Sequence, residues 1–234
     1  MATKKKNKKK PVAKPTGQTM TPKQYFLAGR PRLLEIYECV VNGDYKESGM
    51  AIVLIARQHK TGNITFASFI VDIFCLGVKD ANAAFNRSEE DYVDYKDKVF
   101  SMNAEMPISY DLAHNIIFGA LEYAKNLGFQ PHKDWEHAQF MLQPKSSSTV
   151  EKMDLDFGKD GQPFYISGPH DRVTSVIEKL DKAVGKDNYK VMLNMGGNGY
   201  GFDDMEYMDD DDDDDDDIDD DDNETEDTDY EEVK

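Results

Sequence analysis

Between residues 50 and 76 the chain is almost continuously apolar, in two β-rich runs, MAIVLIARQ and ITFASFIVDIFCL, joined by the five residues HKTGN. A short link holding Gly62 and Asn63 between two such runs predicts a β-hairpin. The second run is apolar on both faces around Ile70–Ile73, which predicts a central strand covered by helices.

Elsewhere the apolar period is helical. Thr21-Pro22 reads as a cap followed by proline at the first helical position, opening a short helix, TPKQYFLA, that Gly29-Arg30-Pro31 breaks. Pro31 then opens a predicted helix PRLLEIYECVV, with Leu33, Tyr37, Val40 and Val41 on one face and Asn42-Gly43 as its end. After a connecting loop, Ser88 followed by Asp91 is a capping signature for a part-exposed helix, SEEDYVDYKDKVFSM. SYDLAHNIIFGALEYAKNLGF carries the clearest stripe, with Leu112, Ile116, Leu121, Ala124 and Leu127 inward and Gly128 at the C-cap. HKDWEHAQFML reads as a further helix with Trp135, Ala138, Met141 and Leu142 inward.

PKSSST is a loop, and LDFGKDGQPFYIS reads as a second hairpin around a Lys-Asp-Gly turn. Pro169 and Asp171 begin the helix RVTSVIEKLDKAV, Gly185 ends it, and YKVMLNM reads as a last strand. No internal repeat is visible. This order predicts an α+β fold: a single domain over residues 22–195 with two β-hairpins and a mostly antiparallel sheet covered by helices.

Charge changes the picture at both ends. The net charge of -18 divides into eight lysines and no acid in residues 1–24, 22 acids and one lysine in residues 203–234, and -5 for everything between. Residues 1–21 form a basic tail, and residues 196–234 form a Gly-rich hinge (GGNGYG) followed by an acidic tail. Both are too polar to bury a core and are expected to be disordered. No apolar segment follows the first lysines, so a secretory signal is not expected, and no apolar run reaches the length of a membrane-spanning helix. The two cysteines, Cys39 and Cys75, lie in apolar patterns outside any CxxC, so neither a disulfide framework nor a cysteine zinc site is expected, and a cytoplasmic location is. KKKNKKK would also serve as a nuclear address in a nucleated host.

Candidate chemistry concentrates in FIVDIFCLGVKDA, residues 69–81. A catalytic Cys75 needs a base and exposure, whereas its apolar neighbours assign it, like Cys39, to the core. Asp72 in a central strand must be paired or hydrogen-bonded, by capping backbone amides or by meeting an arginine such as Arg57 across the hairpin. Asp72 and Lys79 are an odd number of residues apart and point to opposite faces unless the chain bends at Gly77. Asp72, Lys79, Asp80, His114 and His132 are the candidates for a polar pocket near the end of the Phe69–Leu76 strand.

No HExxH occurs, and His132 and His137 are five apart, on different helical faces. Asp111/His114 and Asp134/His137 are each three apart and would converge on a metal only if their helices pack antiparallel. Helix capping by the aspartates with solvent-facing histidines is the plainer account, and no metal or cofactor is expected. GGNGYG has no helix after it and is not a phosphate loop. Gly168-Pro169 precedes a helix N-terminus, a place that can take an anion although most such ends are only capped.

Three ordered blocks, YECVVNGDYKESGMAIVLIARQHKTGNITFASFIVDIFCLGVKDA, HNIIFGALEYAKNLGFQPHKDW and FGKDGQPFYISGP, together resemble a family of uncharacterised bacterial cytosolic proteins. The resemblance covers residues 22–195, and some relatives add helical-repeat or small metal-binding modules. It implies a bacterial cytosolic origin and supplies no activity, cofactor or site residue. Both charged tails look like additions to the shared domain.

The tails therefore carry the functional expectation. The head offers Lys4, Lys5, Lys6, Lys8, Lys9 and Lys10 with no aromatic residue to stack on bases, which suits non-specific, salt-sensitive contact with nucleic-acid phosphates. The acidic tail can keep the protein soluble, occupy basic surfaces of partners, or fold back on the head. A domain of this size has a radius of gyration of about 16 Å, and a flexible 20-residue segment spans about 25 Å, so head and tail can meet around it. The expected function is a non-enzymatic binding module whose tails tune contact with basic proteins or nucleic acid, with no membrane partner. The alternative is an enzyme of unknown reaction using the polar pocket.

Overall fold

A computed structural model describes residues 20–168 and 171–193. The predicted lysine head, hinge and acidic tail lie outside the described residues, as do Pro169, His170 and the end of the predicted last strand. The chain runs through α1 (Pro22–Leu27), a 3-10 turn (Arg30–Leu33), β1 (Glu35–Asn42), α2 (Tyr45–Ser48), β2 (Met50–Gln58), β3 (Ile64–Asp72) and β4 (Gly77–Arg87). It continues through α3 (Glu89–Val99), β5 (Glu105–Pro107), α4 (Tyr110–Asn126), α5 (Trp135–Ala138), β6 (Phe164–Ile166), α6 (Val173–Val184) and β7 (Lys190–Met192). Strands 1–5 form one antiparallel sheet in the order β4-β3-β2-β1-β5, and the α+β expectation holds. Among the described residues no helix is long and apolar enough to cross a membrane.

The hairpin predicted from the two apolar runs forms in unbroken register, from Met50 opposite Asp72 to Gln58 opposite Ile64. Every residue of β3 is buried, as a strand covered on both faces must be. One face packs Val53, Ile55, Phe69 and Val71 against Ile116, Ile117 and Ala120 of α4. On the other, Phe66 meets the rings of Tyr92 and Tyr95 from α3 at 5.2 and 4.8 Å. α3 begins where predicted, with Ser88 and Asp91 closing a capping box. Gly128 follows α4 at a φ of 85°, the left-handed conformation that suits a C-cap glycine.

Five expectations need correction. PRLLEIYECVV is not a helix: after one 3-10 turn it becomes β1, antiparallel to β2 from Glu35 opposite Gln58 to Val41 opposite Val53. Its helical stripe is incidental, since Leu33, the first member, is 75% exposed, while Val40 and Val41 satisfy the otherwise bare edge of β2. The run after residue 76 is not a loop but the long strand β4, whose small and polar residues (GVKDANAAFNR) hide its identity on a part-exposed sheet edge. The Phe69–Leu76 strand stops at Asp72, because residues 73–76 form the turn into β4. HKDWEHAQFML yields only α5 and a 3-10 turn over Gln139–Met141, although Ala138, Met141 and Leu142 are buried as expected. LDFGKDGQPFYIS makes its tight turn, with Asp160 and Gly161 both at positive φ and a bridge between Lys159 and Gln162. Beyond that turn its one strand, β6, pairs in parallel with β7 and completes no hairpin.

Two apolar clusters meet at the β3–β4 turn. Ile73 and Phe74 belong to the main core between the sheet and α4, whereas Cys75 belongs to a second one with Leu127, Phe129, Tyr165 and Leu180, flanked by Val176 and Ile177 of α6. Backbone bonds from Gly158 to Ile73 O and from Phe164 to Phe74 O tie the turn to the later segment. Four turn residues thus connect the sheet to the C-terminal part of the domain.

Candidate functional site

Asp72 ends β3 with its side chain turned back on its own backbone. Its Oδ1 accepts from the amides of Phe74 and Cys75, both at 2.9 Å, which is how a short acidic side chain shapes a tight turn. The group is 5% exposed, and burial raises its carboxyl to about 6, against the opposing charge of Lys79 and the amides of Leu76, Phe74 and Cys75. Capping is therefore what satisfies Asp72. The alternative pairing with Arg57 does not form: Arg57 is buried and donates Nε to Met141 O at 3.0 Å and Nη1 to Leu34 O at 2.7 Å.

Lys79 reaches the neighbourhood of Asp72 through two irregularities. The chain bends at residues 73–76, and the register jumps from Val71 opposite Val78 to Ile70 opposite Asp80, leaving Lys79 as the extra residue of a β-bulge. A bulge re-aims side chains and cancels the odd-even argument. Lys79 Nζ then bonds Asp171 Oδ2 at 3.2 Å. The same oxygen accepts the Tyr165 hydroxyl at 3.1 Å and the Gly168 amide at 2.8 Å. Asp171 was expected to begin a helix. α6 instead starts at Val173 without a side-chain cap from its N-cap residue, Arg172, and the Gly168 amide that was open to an anion takes Asp171 itself.

Cys75 lies fully buried beside this network. Burial, and secondarily the charge of Asp72, pushes its thiol far above the ordinary range, so the reactive thiolate is suppressed. Burial likewise raises the Cys39 thiol to about 12. Both thiols sit where burial disfavours the thiolate. Tyr165, also buried, has its hydroxyl raised chiefly by burial and then by Asp171. Lys79, Asp171 and Tyr165 form a polar joint bonded through Asp171 Oδ2, beside Asp72, whose Oδ1 is taken up by backbone amides.

The other candidates separate into two places. His114 is buried on α4, where Nε2 meets Gln143 O at 2.9 Å and the ring lies 4.5 Å from that of Phe118. It is not solvent-facing, and burial lowers its basicity. It borders a cleft of about 280 Å³ along α4, with Asn115, Glu122, Lys145 and Phe157, away from Asp72 and Asp80. The two Asp/His pairs do not converge. Ser109, not Asp111, caps α4, and Asp134 stands at the N-cap of α5 without a side-chain capping bond.

His132 is different. Its amide donates to Val78 O at 3.0 Å, which lays the α4–α5 connection along the edge strand β4. Its Nδ1 lies 3.4 Å from Asp80 Oδ1 and 3.2 Å from Asp134 Oδ2. Asp80 and His132, both candidates for one polar pocket, do meet, but without Asp72, Lys79 or His114, and their meeting follows the bulge at Lys79, which no residue pattern announces. Asp134 reads in the sequence as a helix cap or as a metal partner of His137, not of His132.

No family model matches the chain, and no curated protein or solved structure shows significant similarity to it.

Proposed function

We propose that the protein is a non-enzymatic binding module: a rigid α+β domain carrying a cationic head and a polyanionic tail that compete with outside partners for each other. The observation that supports this is the charge division itself, eight lysines before residue 25 and a balance of -21 after residue 202, on either side of a nearly neutral domain. The enzyme reading is weakened because Asp72 is spent on its turn, Cys75 is a suppressed thiol, and Lys79 is held by Asp171.

Opposite tails on one chain attract at low ionic strength, and this attraction is screened over about 8–10 Å at physiological salt. Saturating the head leaves the tail with a balance of about -13, so the intact chain remains an acidic ligand for basic proteins. Its head, engaged by the tail, contacts nucleic acid weakly and without sequence preference. The head–tail contact sets both affinities.

Replacing Lys4, Lys5, Lys6, Lys8, Lys9 and Lys10 by serine is expected to strengthen binding of the full chain to a basic globular protein by about three-fold or more at low salt, since six internal competitors disappear. Fluorescence anisotropy against salt measures this. Unchanged affinity would mean the head does not occupy the tail, and absence of binding by either form would remove basic proteins from the reading.

A further inference from the structure

We propose that Asp80, His132 and Asp134 form a binding site for a divalent transition-metal ion, a property independent of the tails and of the binding reading above. One donor atom from each of the three lies within 4.8 Å of the other two. The separations at His132 Nδ1, 3.4 and 3.2 Å, match the spacing of about 3.3–3.4 Å between neighbouring donors around a tetrahedral ion held at about 2.0–2.1 Å. Each of the three is part-buried, so the donors stand at the surface with a route for entry.

The hydrogen bonding supports a cation rather than a simple triad. His132 Nδ1 has almost no solvent-accessible surface, yet it makes no hydrogen bond to either carboxylate oxygen despite their proximity. Two carboxylates face one imidazole, and among the described residues the contacts within 4 Å between Asp80 or Asp134 and a basic side chain are those with His132. An ion between the three donors would satisfy the nitrogen and both carboxylates together. Asp134 has its carboxylate available because it makes no capping bond to α5.

A strand holds Asp80, and the α4–α5 connection supplies the other two donors. Asp80 follows the bulged Lys79 on β4, and its Oδ1 takes the Ala81 amide at 2.7 Å. His132 is tied to the same strand by the hydrogen bond its backbone amide donates to Val78 O. The connection of His132 to Asp134 is a three-residue span, so metal binding would clamp the α4–α5 link onto the sheet edge. One nitrogen and two carboxylate oxygens suit zinc, cobalt or manganese, whereas magnesium and calcium favour oxygen alone. Three protein donors leave at least one position for water or an outside ligand.

The test must separate this site from the carboxylates of the acidic tail. The only tryptophan of the chain, Trp135, adjoins Asp134 and reports a nearby paramagnetic ion by quenching. Cobalt(II) is added to the full chain after chelator treatment, in excess magnesium to occupy the tail. Trp135 emission should fall to a plateau at one equivalent. Asp80→Asn, Asp134→Asn and His132→Gln, each with an unchanged unfolding temperature, should weaken that quenching by about ten-fold or more. A curve that does not saturate, or that is the same in wild type and all three variants, would assign cobalt to the tail and overturn the site. A second measurement needs no variant: zinc should shift the Nδ1 resonance of one of the five histidines in the wild-type chain. Five unmoved imidazoles would equally overturn it.

Discussion

Gly77→Ala is expected to cost about 3 kcal/mol of stability, the sum of a left-handed backbone penalty of about 1–2 kcal/mol and an overpacking penalty of similar size. Gly77 opens β4 at a φ of 73°, and a Cβ there would stand 2.7 Å from Ala124 Cβ and 3.1 Å from Ala120 O. The second of these is backbone of α4 and cannot rotate away, so the helix must lift from the sheet or the turn must deform. Gly62 provides the internal control: it also has a positive φ, 94°, but a Cβ there would meet nothing within 4 Å. Gly62→Ala should therefore lose only the backbone part, about 1–2 kcal/mol. Urea denaturation of both variants measures the difference. Equal losses would show that α4 does not bear on the turn as described.

Asp72→Asn is expected to stabilise the protein at neutral pH, by up to about 3 kcal/mol, and to do little at pH 4. The carboxyl of Asp72 titrates near 6 in the fold against 3.8 for the free side chain, chiefly because burial penalises its charge. A folded pKa above the unfolded one means that the native state holds the proton more tightly. The associated stability is present below 3.8 and is lost as pH rises through about 6. Asparagine keeps an oxygen for the amides of Phe74 and Cys75 and carries no charge, so its stability should lack this decline. The gap between variant and wild type, followed by urea unfolding from pH 4 to 7, should open across that interval. A variant destabilised equally at both ends would show that the two amide bonds need the full carboxylate and that burial is not the governing cost.

The sequence made the hairpin legible because two apolar runs and a Gly-Asn link leave few alternatives, and it made α3 and α4 legible through their caps. It misled where local pattern and sheet pairing disagree. Leu33, Tyr37, Val40 and Val41 fit a helical stripe, but β2 required a neighbour, and a long-range pairing of that kind has no local signal. β4 was missed for a related reason, since an edge strand with one wet face tolerates Asn, Asp, Lys and Ala. At the candidate sites, the need for Asp72 to be bonded followed from the cost of burying a carboxylate. The partners of Lys79 and His132 did not follow, because a one-residue bulge changes which side chains face each other. Asp171 and Tyr165 lie about ninety residues away in the chain from the turn they complete, with no spacing that connects them.

The most direct measurement of the proposed function is the affinity for double-stranded DNA, against salt, of the intact chain and of a chain ending at Met195. The shortened chain keeps all described residues and all eight lysines of the head. It should bind more tightly than the intact chain. If most of the head lysines engage phosphates, log affinity should fall with log salt at a slope of about -5 to -7. Equal affinities at every salt concentration would contradict control of the head by the tail, and absence of binding by the shortened chain would remove nucleic acid from the account.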